Sequence, residues 1–339
     1  FISETIPSTE QLCLKNDGIE VIQKGGRNEG LKVLKSFLSK RGKNYSKEMS
    51  SPLTANNSSS RLSTHIAFGT LSIREIIQKT NIRKKEIQKL SKDEKKNWPR
   101  SINTFSSRLR WHCHFIQKLE DEPEIEFKNM HSSYNKLRNE TDNDLFFERW
   151  KKGSTGYPMV DACMRSLIKT GWLNFRMRAM LMSFASYHLW LPWQITSKYL
   201  ATLFTDYEPG IHYSQSQMQS GTTGINAIRI YNPIKQGVDH DPEGIFIKKW
   251  VPELKNVPKK YIHMPWKDVN YIREYNFPIV EESESRKTAA SKIYKLRKEQ
   301  SHKIESNKIY IKHGSRKPRV KKIKKNIGIN KAEIQKNLF

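Results

Sequence analysis

The 339 residues predict an all-α domain followed by a basic, disordered tail. Three observations carry this expectation. Apolar residues recur at helical spacing and nowhere alternate as strand residues do. Helix start and stop residues bracket the apolar segments. Lysine dominates the last forty or so positions, where apolar residues are too sparse to build a core.

The segments follow in order. Residues 1–57 read as an arm and an entry helix, in which Leu31, Leu34, Phe37 and Leu38 share one face of Gly30–Ser39. Lys43–Ser60 is rich in Ser, Asn and Pro and reads as a long loop. Leu71–Ile82 begins on Ser72, with Glu75 placed for a capping box. A helix over 101–119 carries RLRWHCHF, and an acidic, irregular stretch covers 120–145. Three helices are then expected, Met159–Thr170, Leu173–Leu189 and Gln194–Phe204. Gly171 supplies the left-handed stop of the first, and Pro192 divides the other two. The main domain spans 58–290, its last part (256–290) an extension containing Pro and Trp. The basic tail is 291–339, opened by a basic helix over Ala289–Lys303.

The formal charge is +27. Residues 301–339 hold twelve Lys and Arg against Glu305 and Glu333. Such a surface favours polyanions, nucleic acid ahead of an acidic membrane face, although a solvated lysine-rich surface has the same composition. No apolar run is long enough to cross a bilayer. Cys13, Cys113 and Cys163 show neither disulfide nor zinc spacing, which fits a reducing, cytoplasmic setting. No secretory leader is visible, and a chain that begins with Phe1 reads as a fragment.

Four groups of residues invite a chemical reading. Ser58, Ser59, Ser60, Arg61, Leu62 and Ser63 offer hydroxyls and backbone N–H groups to a phosphate or diphosphate, or form an ordinary serine-rich loop. Trp150, the Gly153–Pro158 turn, Asp161, Arg165 and Gly171-Trp172 precede Arg176 and Arg178, with Asp206 and Glu208 further on. Arginines beside carboxylates among apolar helices form buried salt bridges or a site. Gln215–Gly224 followed by Arg229–Pro233 is a polar, glycine-containing lining for a cavity. His112 and His114 sit two apart, which places them on different helical faces, and no third ligand accompanies them, so no metal is expected.

Taken in order, these motifs resemble the C-terminal flavin-binding domain of the photolyase/cryptochrome family. The matching stretches are SSSRLSTHIAFGTLS (58–72), RLRWHCHF (108–115), WKKGSTGYPMVDACMRSLIKTGW (150–172), FRMR (175–178) and RIYNPIKQGVDHDPEGIFIKKWVPEL (229–254), continued by YIHMPW and FPIVEESESRK. The resemblance covers about 25–290 and lacks the family's N-terminal antenna domain. It implies a helical domain holding FAD, with Tyr45, Ser59, Ser60, Leu62 and Ser63 at the phosphates. It also implies an Arg178–Asp206 ion pair beside the flavin ring, and Glu208 toward the ribityl and adenine side. Trp111 and Arg176 fall on positions that meet a flipped-out pyrimidine dimer, and Trp193 on the middle position of a tryptophan electron relay.

The chain departs from the family pattern at several of these positions. Arg108 stands where repair enzymes carry an acid, His112 where they carry an arginine, and Asn174-Phe175 where they carry His-Asn. Ser214-Gln215-Ser216 replaces Trp-x-Trp, so the flavin-proximal relay position is Ser214 and the distal one falls near Glu140. Trp190, Tyr187 or Tyr213 would have to complete any relay. Three readings follow: a light-driven carbon–carbon lyase that repairs pyrimidine dimers, a cryptochrome-type photoreceptor without repair, and a basic DNA-binding helical protein without flavin. The first two take FAD as cofactor; the expected partner is DNA, and the expected state a monomer.

Overall fold

The computed structural model describes residues 5–14, 18–138, 144–271 and 274–314. Among them the regular structure is helical, without a strand. The expected relay position near Glu140, and the tail beyond Gly314, lie outside the described residues.

The first layer begins with α1 (Arg27–Ser39), which buries Leu34, Phe37 and Leu38. The expected long loop instead contains a 3₁₀ turn (Arg41–Asn44) and two helical turns, α2 (Tyr45–Glu48) and α3 (Ala55–Ser58). Tertiary contacts explain the difference: Tyr45 meets the edges of Phe37 and Phe105 at 5.7 and 6.2 Å. A further short helix, α4 (Ser63–Ala67), precedes α5 (Ile73–Lys89). Ser72 caps α5 by accepting from the Glu75 N–H at 3.1 Å. The Glu75 carboxylate turns to Arg27 instead of closing the box. A complete capping box forms at α6 (Lys92–Lys95), between Ser91 and Glu94. The long α7 (Trp98–Asp121) closes this layer with Trp98, Ile102, Phe105 and Leu109, in one core with Leu34, Phe37, Leu62 and Ile76.

The second layer holds the larger core. It runs through α8 (Asp144–Lys151), α9 (Pro158–Thr170), α10 (Phe175–Ser183) and α11 (Trp193–Leu203). Then come α12 (Pro209–Ser220), α13 (Pro233–His240) and α14 (Ile245–Trp250). Gly171 ends α9 at φ 62°, in the left-handed region that glycine adopts without cost. The helix expected over Leu173–Leu189 is regular only as far as Ser183; Phe184–His188 form a π turn, and Trp190 follows at φ 55°.

Two helices finish the fold, α15 (Glu282–Arg297) and α16 (Gln300–His313). The basic helix expected over Ala289–Lys303 is met by α15 and by α16, which runs on to His313, and the pair is anchored by buried Ile293, His302, Ile309 and His313. What the basic composition conceals is that only a few apolar residues of this segment face inward. The layers meet where α7 crosses α12. At Gly210 a methyl group would lie 2.8 Å from the Ile116 Cα, so glycine is what permits this approach.

Candidate functional site

The seam between the layers is lined by the 57–64 segment on one side and by α10, the 204–208 turn and α12 on the other. Arg41 builds the first wall. Its guanidinium donates to the carbonyls of Val33, Asn57, Ser59 and Ser60 at 2.6–3.3 Å, and to Ser36 Oγ at 2.8 Å. With those carbonyls turned to Arg41, the serine segment is held in one shape. Leu62 is in the core at 1% exposure, and its N–H donates to Ser60 Oγ at 3.4 Å. Only its backbone is therefore available to a ligand. Ser59 and Ser60 are half-buried and Ser63 is exposed at the start of α4. Arg61 takes the left-handed conformation (φ 60°) and lays its guanidinium 3.9 Å from the Trp172 ring centroid.

The second wall carries the ion pair. Arg178 Nη2 donates to Asp206 Oδ2 at 2.9 Å, Nε donates to the Leu173 carbonyl at 2.6 Å, and the guanidinium lies 4.0 Å from the Phe204 ring. Burial pushes the Asp206 carboxyl up, but Arg178, the Ser63 hydroxyl and Arg61 outweigh it and hold the group below its ordinary value. Burial takes Arg61 down to about 10. Its neighbours include Asp206, Arg178 and Arg41, so three guanidinium groups share this region with one carboxylate. That imbalance suits a bound anion.

The remaining expected residues divide. Glu208 faces His112. Arg176 lies over Tyr231 at 5.6 Å and beside His240. Tyr45 has its hydroxyl at Arg108. Trp111 is 46% exposed, with the Arg108 guanidinium 4.3 Å from its ring and 5.7 Å from Phe175. Trp193 is buried and donates from Nε1 to Asn129 Oδ1 at 2.7 Å. Its ring is 6.3 Å from Tyr213, which is 6.3 Å from Tyr207. Ser214 is fully buried on α12.

Several residues that shape the seam escaped the sequence reading. Arg41 and Gly210 act through contacts distant in sequence, for which no local signal exists. Phe204 sits two residues before Asp206, where only the fold reveals its guanidinium partner.

The walls also hold buried polar atoms without a partner: Arg61 Nη1, Thr64 Oγ1, His112 Nδ1, Asp206 Oδ1, Ser214 Oγ and Gln215 Oε1. Unmet donors and acceptors at this density are costly unless a ligand answers them. The arrangement defines a helical domain built around a polar, phosphate-bearing cofactor. Residues 105–295 match the family model described as the FAD binding domain of DNA photolyase. A deoxyribodipyrimidine photo-lyase of Alkalihalophilus pseudofirmus is 31% identical over 277 residues, covering 78% of this chain and 55% of that protein. Cryptochrome-2 of Arabidopsis thaliana is 33% identical over 285 residues, covering 79% and 45%. The crystal structure of a bacterial class III photolyase from Agrobacterium tumefaciens superposes with TM-score 0.71 at 27% identity, over 81% of this chain and 56% of that one. The chain spans about half the length of the curated relatives it matches. It belongs to the photolyase family of FAD-binding domains, and FAD is the cofactor of that domain. The partnerless polar atoms and the surplus of guanidinium charge fit that group.

Proposed function

We propose that this chain is the flavin-holding part of a light-driven lyase that splits pyrimidine dimers in DNA. The observation that carries the reading is the buried Arg178–Asp206 pair, which leaves Asp206 Oδ1 unpartnered at a seam rich in guanidinium charge. FAD would supply the light-excited electron donor, chemistry that no side chain here provides. Ser59, Ser60, Ser63 and the Leu62 backbone would meet its diphosphate, with Arg61 offsetting the charge and Tyr45 close by. Arg178 would fix the Asp206 carboxylate as an acceptor toward the ring, and the low proton affinity of Asp206 would keep it ionised. Glu208, beside His112, would serve the ribityl and adenine side.

Trp111 and Arg176 would receive the flipped-out lesion, and the basic surface would hold the DNA backbone with salt-sensitive affinity. Trp193, Tyr213 and Tyr207 form an aromatic line along which an electron would move to the flavin. The protein would act as a monomer, in the cytoplasm. No helix among the described residues is long and apolar enough to cross a membrane.

One observation favours a second reading, a blue-light receptor without repair. The Arg108 guanidinium covers the Trp111 ring on which a dimer would stack. Incubating the FAD-loaded chain with UV-treated DNA separates the two. Light-dependent loss of dimers supports the lyase; flavin that responds to blue light while dimers persist supports the receptor.

A further inference from the structure

Away from the seam, a cavity of 370 Å³ opens between the loop at Gly224 and α15–α16. Its size lies within the range of small-ligand sites, and it shares no residue with the flavin seam. Its wall carries two charged side chains, Arg297 and Lys303, both cationic, and no carboxylate.

Arg297 is held in place. Its Nε donates to Tyr134 Oη at 3.0 Å, and the same hydroxyl meets His302 Nε2 at 2.9 Å. His302 is stacked on His131 at 4.0 Å, and its Nδ1 meets Ser306 Oγ at 3.2 Å. This buried network fixes the guanidinium but leaves Arg297 Nη2 buried without a partner. A planar guanidinium held by its Nε beside a cavity is suited to phosphate or carboxylate. Lys303 adds a second cation, free to follow the ligand. Asn307 brings an amide, and Ile225 and the Tyr310 ring give the apolar wall that a flat ring needs. Gly224 is required here: at φ 73° it brings the loop against His131, and a methyl group would collide with that ring.

We infer that this cavity is a second ligand site, for a phosphate ester of nucleotide size. Arg297 and Lys303 take the phosphate, and the Tyr310–Ile225 wall takes the flat ring. Because the walls are independent of the seam, the inference does not depend on the flavin reading.

The test is equilibrium dialysis of the full chain with ADP, after saturation with FAD so that the seam is filled. One ADP per chain is expected, displaced by excess inorganic phosphate. Lys303→Gln and Arg297→Gln should each weaken binding by about tenfold or more, with flavin absorbance unchanged. Lys303 is exposed on α16, so its substitution leaves the fold intact even if that of Arg297 does not. No ADP retained at about 1 mM, or binding that ignores the Lys303 substitution, overturns the inference. So does a short single-stranded oligonucleotide that binds this cavity more tightly than ADP. A chain that takes up no FAD is tested in the same way, so the two readings fail separately.

Discussion

Asp206 gives one carboxylate oxygen to Arg178 at 2.9 Å and keeps the other, Oδ1, buried and partnerless. An isolated salt bridge has no reason to leave half of a carboxylate unmet in a position 4% exposed. The proposed flavin supplies that reason. Asp206→Asn should release FAD at least tenfold more readily and alter its photoreduction; unchanged retention and photoreduction would remove Asp206 from this role. The pair also links stability to pH. Because the folded carboxyl is held below its ordinary value, its contribution is present above about pH 4 and is lost as pH falls through the folded value. Acid melts of the wild type and Asp206→Asn should converge at low pH.

Arg41 organises the serine segment through the carbonyls of Asn57, Ser59 and Ser60. Arg41→Ala should cost about 2–4 kcal/mol of stability and weaken FAD binding as the phosphate wall loosens. Denaturant melts with flavin titration check both parts. A variant destabilised but with normal flavin affinity would show that the wall holds its shape without Arg41.

How much of this was legible in the sequence varies with the kind of contact. Gly171 and the N-cap role of Ser72 follow from local backbone chemistry and lie where expected. The turns at 41–58 look like loop in the sequence because Arg41 and the Phe37–Tyr45–Phe105 cluster, rather than propensity, hold them. Helix α16 beyond Lys303 looks like tail in the sequence because its buried face is spread thinly among lysines. The Arg178–Asp206 pairing is implied by the family resemblance rather than by spacing, since 28 residues separate the partners and nothing local joins them. The cover of Arg108 over Trp111 depends on side-chain placement that spacing alone does not give.

Gly210 marks the closest approach of α12 to α7. In Gly210→Ala the added methyl would lie 2.8 Å from the Ile116 Cα and 3.1 Å from the Phe115 carbonyl oxygen, both backbone atoms that yield little. A loss of about 1–3 kcal/mol is expected, together with weaker flavin binding as Ser214 shifts with the helix. Wild-type stability in this variant would contradict the tight crossing.

His212 is driven down to about 4, mainly by burial, although the Ser197 carbonyl favours its proton. The unfolded chain takes up that proton near pH 6.5, so the stabilisation is complete above this value and is lost as pH falls toward 4. The expected loss is on the order of 3 kcal/mol. Melting temperatures measured from pH 7.5 to 4.5 should fall less steeply in His212→Gln, and parallel profiles would exclude His212 as the cause.

Tyr213 stands between Trp193 and Tyr207, with its hydroxyl accepting from Tyr207 at 3.2 Å. Tyr213→Phe keeps the ring and removes the proton that oxidation of a tyrosine must release. Flavin photoreduction should slow several-fold while FAD occupancy stays constant, and Trp193→Phe should slow it further. Normal photoreduction in both variants would exclude this aromatic line.

The central claim, that the seam is a working flavin site, is tested most directly by the absorption spectrum of the purified chain, before and after blue light with reductant. The account predicts one FAD per chain, bleached by light. A chain that remains colourless even after reconstitution with FAD would contradict it.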